Sequence, residues 1–228
     1  MGAVEVVKDI YLVASADMTD SRDCSVYLLD LGELVLIDTG AGTSVEQIFR
    51  NIEWLGLDPE MIAEVILTHC HIDHIGGAPQ FRKRFGARII MHHLDAEVVE
   101  LGDERMTAAS WYNLHFPPMP VDVKLKKEQE RLCFGDQEVV CLHTPGHTPG
   151  SLSIYLDRGE KRVLFGQDIH GPFYQEFGSD LAAWRRSMER LLALEADVLC
   201  EGHFGVYQPK KSVAEYITNY LDLYGEES

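Results

Sequence analysis

The chain of 228 residues has few positive charges for its length. Lys and Arg together number 20 against 37 Asp and Glu, so the formal net charge is −17. The positive residues are scattered, and only short runs occur at 82–84, 126–127 and 210–211. Because such a surface repels a phosphate backbone, we expect no nucleic-acid partner.

Cysteine pairs and long apolar runs are also missing. The five cysteines are odd in number and show no Cys-x-x-Cys spacing, so neither a disulfide framework nor a thiolate zinc site is expected. No apolar run reaches about eighteen residues, and no basic segment followed by an apolar one opens the chain. We therefore expect a cytoplasmic protein with no membrane partner.

Apolar patterning predicts one α/β domain over residues 1–228. Strands are predicted at 4–7, 10–14, 25–29, 33–37, 63–68, 87–92, 137–142, 151–156, 161–165 and 197–200. Helices are predicted at 44–57, 95–101, 103–115, 179–196 and 209–224, with a short one between Gly76 and Gly86. Ser44 and Gln47 form a capping-box pattern. The order of strands and helices indicates two sheets packed face to face with helices outside.

The segment THCHIDHIGG follows the apolar run AEVIL and concentrates metal-binding side chains. Alternate side chains of an extended segment share a face, so His69 and His71 can bind one ion together. Asp73 and His74 follow on a turn and place a carboxylate and another imidazole beside that pair. Nitrogen and oxygen ligands of this kind suit divalent transition metals, so the segment predicts a site for two adjacent ions.

Three more residues of the ligand type stand where apolar strands end. His147 lies in HTPGHTPGS between two predicted strands, LFGQD ends a strand at Asp168, and DVLCEGH leads from another to His203. Loops that follow several strands can converge on one site. We therefore expect these three side chains to lie beside the histidine cluster.

Five motifs, in order, resemble those of the metallo-β-lactamase superfamily. They are LIDTG at 36–40, THCHIDH, TPGHTPGS, FGQD and EGH, and together they span residues 36–203. The resemblance implies a four-layer αββα sandwich in which two mixed β-sheets are flanked by helices.

The same resemblance implies two divalent metal ions, with zinc as the expected metal and iron or manganese as alternatives. Asp38 would orient the histidine loop by hydrogen bonding, since ligating imidazoles need such partners. The implied ligands are His69, His71 and His147 for one ion and Asp73, His74 and His203 for the other, with Asp168 bridging both.

The implied function is a glyoxalase II-like metallohydrolase that acts on a small ester, thioester or lactone. Two ions that share a water would lower its pKa toward neutrality, so that a bridging hydroxide attacks the carbonyl, and Asp73 could orient that water or carry its proton. Asp168 argues against antibiotic hydrolysis, because true β-lactamases of this superfamily typically lack the bridging aspartate. Gln167 stands where a glycine commonly precedes it.

An oxidoreductase is the alternative. Persulfide dioxygenases resemble the chain in the same motifs but use one iron, which His71, His147 and Asp168 would hold here. Nitrogen and oxygen ligands suit iron as well as zinc, so both functions stay open. His170 and Tyr174, in the loop after Asp168, are candidate contacts for a small-molecule substrate. The sequence leaves the oligomeric state open, a homodimer included.

Overall fold

The computed structural model describes residues 2–225. Within this range the strands are β1 Val4–Val7, β2 Ile10–Ala14, β3 Val26–Asp30, β4 Leu34–Ile37, β5 Ile62–Ile66, β6 Arg88–His92, β7 Val123–Leu125, β8 Gln129–Phe134, β9 Gln137–His143, β10 Leu152–Arg158, β11 Lys161–Gln167, β12 Val198–Glu201 and β13 Val206–Tyr207. The α-helices are α1 Val45–Trp54, α2 Ile72–Ile75, α3 Ala78–Phe85, α4 His93–Leu101, α5 Leu181–Leu192 and α6 Lys210–Leu223.

The strands form two mixed sheets. In the first, β1 to β7 lie side by side in chain order. The strands from β1 to β4 pair antiparallel and those from β4 to β7 pair parallel. The second sheet has the order β13, β12, β11, β10, β9, β8, and β11 pairs parallel with β12 while its other pairs are antiparallel. Each sheet thus has neighbouring parallel strands in its interior. The carboxyl ends of these strands lie together at the same end of the sheet.

Neighbouring residues of the central strands face different apolar layers, because successive side chains of a strand point to opposite faces. Leu36 of β4 packs with buried residues of α1, α3 and α4, whereas Ile37 faces the second sheet. In β11, Phe165 faces the first sheet and Leu164 packs with Trp184 of α5. The layers therefore run helix, sheet, sheet, helix, and the predicted αββα sandwich is confirmed.

Helix α1 forms as its apolar spacing predicts, with Ile48 and Ile52 fully buried. Its predicted capping box is wrong. Ser44 precedes the helix but its hydroxyl donates to Asp23, and Gln47 bonds to the side chain of Asn51. Along residues 2–225, no helix has both the length and the apolar character needed to cross a membrane.

The helix predicted at 103–115 is also wrong. This stretch forms turns and one short 3-10 segment, Ala109–Tyr112. Ala108 and Asn113 on either side have positive φ angles of 55° and 52°, which a right-handed helix cannot contain. The backbone here pairs with the histidine loop instead, since Ile72 N donates to Thr107 O at 2.7 Å.

Candidate metal centre

The candidate site lies where strands of both sheets end. His69 follows β5, Asp168 follows β11 and His203 follows β12, each within three residues of the last strand residue. His147 lies in the loop that joins β9 to β10. The structure thus brings together the seven side chains that the sequence predicts as ligands, although they are spread over more than a hundred positions.

Three imidazoles form the first donor group. His71 Nδ1 lies 3.1 Å from His69 Nε2 and 2.9 Å from His147 Nε2. Ligand atoms of a tetrahedral zinc site are roughly 3.3 Å apart, because Zn–N distances are about 2.0–2.1 Å. The spacing of the three nitrogens therefore suits one transition-metal ion.

The second donor group mixes imidazoles and a carboxylate. His203 Nε2 lies 3.3 Å from Asp73 Oδ2 and 3.4 Å from His74 Nε2. His74 Nε2 is 3.6 Å from the same Asp73 oxygen. These atoms have the spacing of a second site beside the first.

Asp168 stands between the two groups. Its Oδ2 is 3.4 Å from His147 Nε2 and 3.9 Å from His69 Nε2. Its Oδ1 is 3.2 Å from His74 Nε2 and 3.3 Å from His203 Nε2. Each carboxylate oxygen thus faces a different donor group, the arrangement that a bridging ligand requires.

The two groups differ in their electrostatics. Burial lowers the pKa of His69, of His147 and of His71, the last to about 3, so the first group is neutral at pH 7, as metal binding requires. Burial also opposes charge on His203, but Asp168 and Asp73 raise its pKa to about 10. The carboxylates of the second group therefore favour a positive charge among them.

The donor set fits a pair of metal ions. Asp168 Oδ1 is buried and has no hydrogen-bond partner among the described residues. A divalent cation would satisfy that oxygen and supply the positive charge that the carboxylates favour. The residues present would therefore hold one ion at each donor group.

Asp38 holds the histidine loop. Its Oδ1 accepts a hydrogen bond from Thr68 N at 2.8 Å, and its Oδ2 accepts from Thr68 Oγ1 and from His74 Nδ1, both at 2.8 Å. Because His74 donates through Nδ1, its Nε2 faces the second donor group. His147 is held in the same way, since its Nδ1 donates to Pro172 O at 3.0 Å.

Cys24 also lies near Asp38 and His74, with donor atoms within 4.8 Å of one another. Burial raises the pKa of this thiol to about 12, so it stays protonated at neutral pH. Asp38 already accepts three hydrogen bonds. This trio is therefore no third metal site.

Asp95 is a site residue that sequence reasoning missed. This fully buried carboxylate lies in the first turn of α4 and accepts hydrogen bonds from Cys70 N at 2.9 Å, Thr148 Oγ1 at 2.7 Å and Gly150 N at 2.7 Å. Cys70 lies between His69 and His71, and Thr148 follows His147. One carboxylate thus ties both histidine loops together.

Glu201 was missed as well, although it begins the EGH motif. Its buried Oε2 accepts from His203 N at 2.6 Å and Phe204 N at 2.8 Å. Its Oε1 is 2.8 Å from His170 Nδ1. The carboxylate therefore shapes the His203 loop and orients His170.

The backbone before Asp168 is tightly constrained. Gln167 has a φ of 41°, a conformation that glycine adopts with less strain, and its own Oε1 accepts from Asp168 N at 2.7 Å. A Cβ at Gly202 would lie 2.5 Å from Asp168 Oδ1, so only glycine fits beside this carboxylate. These constraints fix where Asp168 points.

A cavity of about 400 Å³ opens directly onto the two donor groups. His170 and Tyr174, the predicted substrate contacts, both line it. Trp111 and Tyr112 of the 3-10 segment line it as well. A pocket of this size accommodates a small molecule next to the donor atoms.

Comparison with known proteins gives one family. The family model of the metallo-beta-lactamase superfamily matches residues 19–203. The hydroxyacylglutathione hydrolase GloC of Haemophilus influenzae is 31% identical over 150 residues, 65% of this chain and 66% of that protein, so the match spans slightly less than two thirds of that relative. The human acyl-coenzyme A thioesterase MBLAC2 is 26% identical over 222 residues, which cover 84% of this chain and 76% of that protein.

A solved structure has the same fold. The metallo-beta-lactamase of Cronobacter sakazakii superposes with a TM-score of 0.83 at 23% sequence identity, and the match covers 100% of this chain and 97% of that one. At this identity the likeness concerns the fold alone.

Proposed function

The chain belongs to the metallo-β-lactamase superfamily and is a hydrolase of that metal-dependent superfamily, and from this premise we propose that it uses two metal ions to hydrolyse a small ester, thioester or lactone. The observation that carries the proposal is the position of Asp168, with one oxygen toward each donor group. A single ion would leave one of these buried oxygens, or the carboxylate of Asp73, without a cation.

Bound ions would supply a nucleophilic hydroxide at neutral pH and polarise the carbonyl of the substrate. The protein's own residues prepare the site for this chemistry. Asp38 and Asp95 hold the loops that carry the histidines, and Asp168 holds the two donor groups at a fixed separation. Fixed donors need no rearrangement when the substrate binds, which favours catalysis.

The ligand types indicate the metal, and the relatives indicate the reaction. Imidazole and carboxylate ligands at tetrahedral spacing suit zinc, with iron or manganese as alternatives. The names of the two relatives above both describe hydrolysis of a thioester. This supports attack on a carbonyl whose leaving group is a thiolate or an alkoxide.

The dioxygenase alternative uses part of the same cluster. His71, His147 and Asp168 also converge, with His147 Nε2 at 2.9 Å from His71 Nδ1 and 3.4 Å from Asp168 Oδ2. In that case Asp73, His74 and His203 would have no metal ion to hold, although their donor atoms, like those of the first group, lie within 4.8 Å of one another. The hydrolase uses the whole cluster and is therefore preferred.

The test combines metal analysis with a change at Asp168. Protein purified without added metal should contain about two transition-metal ions per chain. Asp168→Asn should lose at least one of them and lower ester or thioester hydrolysis by about a hundredfold or more, because the bridging charge is gone. Asp157→Asn, at a surface ion pair with Arg162, is the matched control and should change neither quantity.

Two results would count against the proposal. One iron per chain, with oxygen consumption on a persulfide, would favour the dioxygenase. Full metal content and full activity in Asp168→Asn would remove the bridging assignment. Circular dichroism of the variants separates either result from loss of the fold.

A further inference from the structure

The cavity has an aromatic rim. Four aromatic side chains of the described residues have large exposed fractions, and three of them, Trp111, Tyr174 and Phe204, line this one cavity. Exposed aromatic groups gathered at one opening mark a binding surface, because burying them against a ligand releases water from apolar area.

Three loops build this rim, and the rings of two of them contact each other. The Trp111 ring lies 5.1 Å from the Tyr174 ring and 5.0 Å from the Phe177 ring. Trp111 belongs to the 3-10 segment before β7, whereas the other two rings follow Asp168. In the loop after β12, Phe204 packs edge-on against His170, with ring centroids 4.7 Å apart. The apolar wall is therefore supported by ring contacts within the protein.

The residues that line the same cavity include no Lys or Arg. Its histidines belong to the donor groups, apart from His170, which bonds to Glu201. Its acidic groups, Asp73 and Asp168, belong to the donor cluster, and the chain as a whole carries a net charge of −17. A negatively charged group of a substrate would therefore meet no Lys or Arg in the cavity and would be repelled by the overall charge.

These observations decide between substrates that share one reacting bond. Glutathione thioesters carry two carboxylates and coenzyme A thioesters carry phosphates, all at a distance from the reacting carbonyl. Proteins hold such groups with Lys or Arg. Uncharged aliphatic and aromatic groups instead bind favourably at the rim, because the contact buries apolar area.

We infer that the preferred substrate is an uncharged ester, thioester or lactone with an apolar acyl group, which the aromatic rim of Trp111, Tyr174 and Phe204 binds. The inference rests on the proposed function and narrows it. It separates this chain from hydrolysis of glutathione and coenzyme A thioesters, the chemistry in the names of its relatives.

The test uses the metal-loaded protein and pairs of substrates that share the reacting bond and the acyl chain length, one neutral and one charged. 4-Nitrophenyl hexanoate is compared with the mono-4-nitrophenyl ester of adipic acid, which has a carboxylate in place of the terminal methyl group. S-hexanoyl-N-acetylcysteamine is compared with S-hexanoylglutathione. After correction for alkaline hydrolysis rates, kcat/KM should be at least about tenfold higher for each neutral member. From acetate to hexanoate, kcat/KM should rise by up to about fourfold for each methylene that the rim buries.

Variants assign the preference to the rim. Trp111→Ala should lower kcat/KM for hexanoate by about tenfold and change that for acetate little. Trp54→Ala, which removes a tryptophan that is 69% exposed at the end of α1, is the matched control and should change neither.

Tyr174→Arg should raise kcat/KM for the adipate ester relative to the hexanoate ester. A binding measurement accompanies these assays, since Trp111 fluorescence should respond to hexanamide but not to adipamate.

The outcomes distinguish failure of the substrate inference from failure of the proposed hydrolase. If the glutathione thioester or the adipate ester is cleaved as fast as its neutral partner, the inference is wrong while the proposed hydrolase stands. If the metal-loaded protein cleaves no ester or thioester, both fail. If Trp111→Ala does not fold, Tyr174→Arg still decides, because an unchanged charge preference in that variant contradicts a role for the rim.

Discussion

At the scale of single residues, buried carboxylates position the predicted ligands. Asp38, Asp95 and Glu201 each accept hydrogen bonds from the loops that carry the histidines, and none of them belongs to the donor groups described above. Buried carboxylates are costly unless they are fully bonded, so each of these contacts fixes its loop firmly.

Asp95→Asn tests this positioning. Asp95 accepts from three donors with two oxygens, whereas asparagine offers one acceptor oxygen and brings an NH₂ donor of its own. We expect a destabilisation of about 1–3 kcal/mol, measured by denaturant unfolding, because the donors are buried. We also expect metal affinity to fall by about tenfold, measured by chelator competition, since both histidine loops move.

Asp122→Asn is the control for that experiment. Asp122 likewise accepts from a backbone amide, that of Ile89, and pairs with Arg82 at the surface. It should lower stability without changing metal affinity. Equal loss of affinity in both variants would mean that Asp95 acts only through general stability.

The ligand-type residues were predictable because each stands in a short motif at the end of an apolar strand. Asp95 was not, since its partners lie 25 to 55 positions away in the chain and two of them are backbone amides. A pattern of side chains cannot reveal a carboxylate whose role is to accept from distant backbone. Glu201 is intermediate between these two cases. Its motif, EGH, can be recognised in the sequence, but the hydrogen bonds of its carboxylate cannot.

At the scale of secondary structure elements, the interior strands were predicted and most outer ones were missed. The unpredicted strands β7, β8 and β13 lie at the edges of the two sheets. Strand β8, QERLCF, alternates between exposed and partly buried positions and carries few apolar residues. Edge strands pair on one side only and are commonly short and charged, so the apolar signal is weak there.

The segment 103–115 shows the opposite error. Its composition favours a helix, but tertiary contacts outweigh this preference, since Thr107 is buried and its carbonyl accepts from Ile72 N. The resulting turn directs Trp111 and Tyr112 into the cavity. Local propensity could not reveal this, because the contact involves the histidine loop some thirty-five positions earlier.

Tyr112→Phe tests what this turn contributes. Burial, together with the charge of Asp73, raises the pKa of Tyr112, so its phenol stays protonated and can donate a hydrogen bond within the cavity. We expect kcat to fall by about tenfold at unchanged metal content if the phenol donates to the substrate oxygen as charge develops. Tyr155→Phe, on β10 and away from the cavity, should leave kcat unchanged. Loss of metal in Tyr112→Phe would instead indicate a role in holding Asp73.

At the scale of the whole molecule, the site depends on how the two sheets meet. Leu152 N, at the start of β10, donates to Thr68 O at 2.8 Å, and Ser25 N donates to Gly202 O at 2.6 Å. Strand ends and loops of one sheet thus bond to loops of the other beside the donor groups. The sequence predicted the sandwich through its apolar alternation and its motifs. The cross-sheet contacts could not be predicted, because they join residues that are more than eighty positions apart.

A stacked pair of histidines forms another contact between the two sheets, and this contact is sensitive to pH. His92 ends β6 in the first sheet and lies parallel to His143, which ends β9 in the second, with ring centroids 3.9 Å apart. Burial, with the neighbouring rings of His143 and His93, lowers the pKa of His92 to about 3. The folded protein therefore keeps this ring neutral, whereas the unfolded chain protonates it near pH 6.5.

The sign of the effect on stability follows from proton binding. Between pH 6.5 and 3 the unfolded state binds a proton at His92 that the folded state does not bind, so stability is present above pH 6.5 and is lost as the pH falls. From pH 8 to pH 5.5 we expect His92 to account for about 1.4 kcal/mol of lost stability. His92→Phe keeps a flat ring for stacking but cannot titrate. The difference in unfolding free energy between parent and variant, measured at both pH values, should therefore shift by that amount in favour of the variant at pH 5.5. Metal release at low pH affects both proteins and cancels in the comparison. An unchanged difference would mean that the contact between the sheets does not depend on a neutral His92.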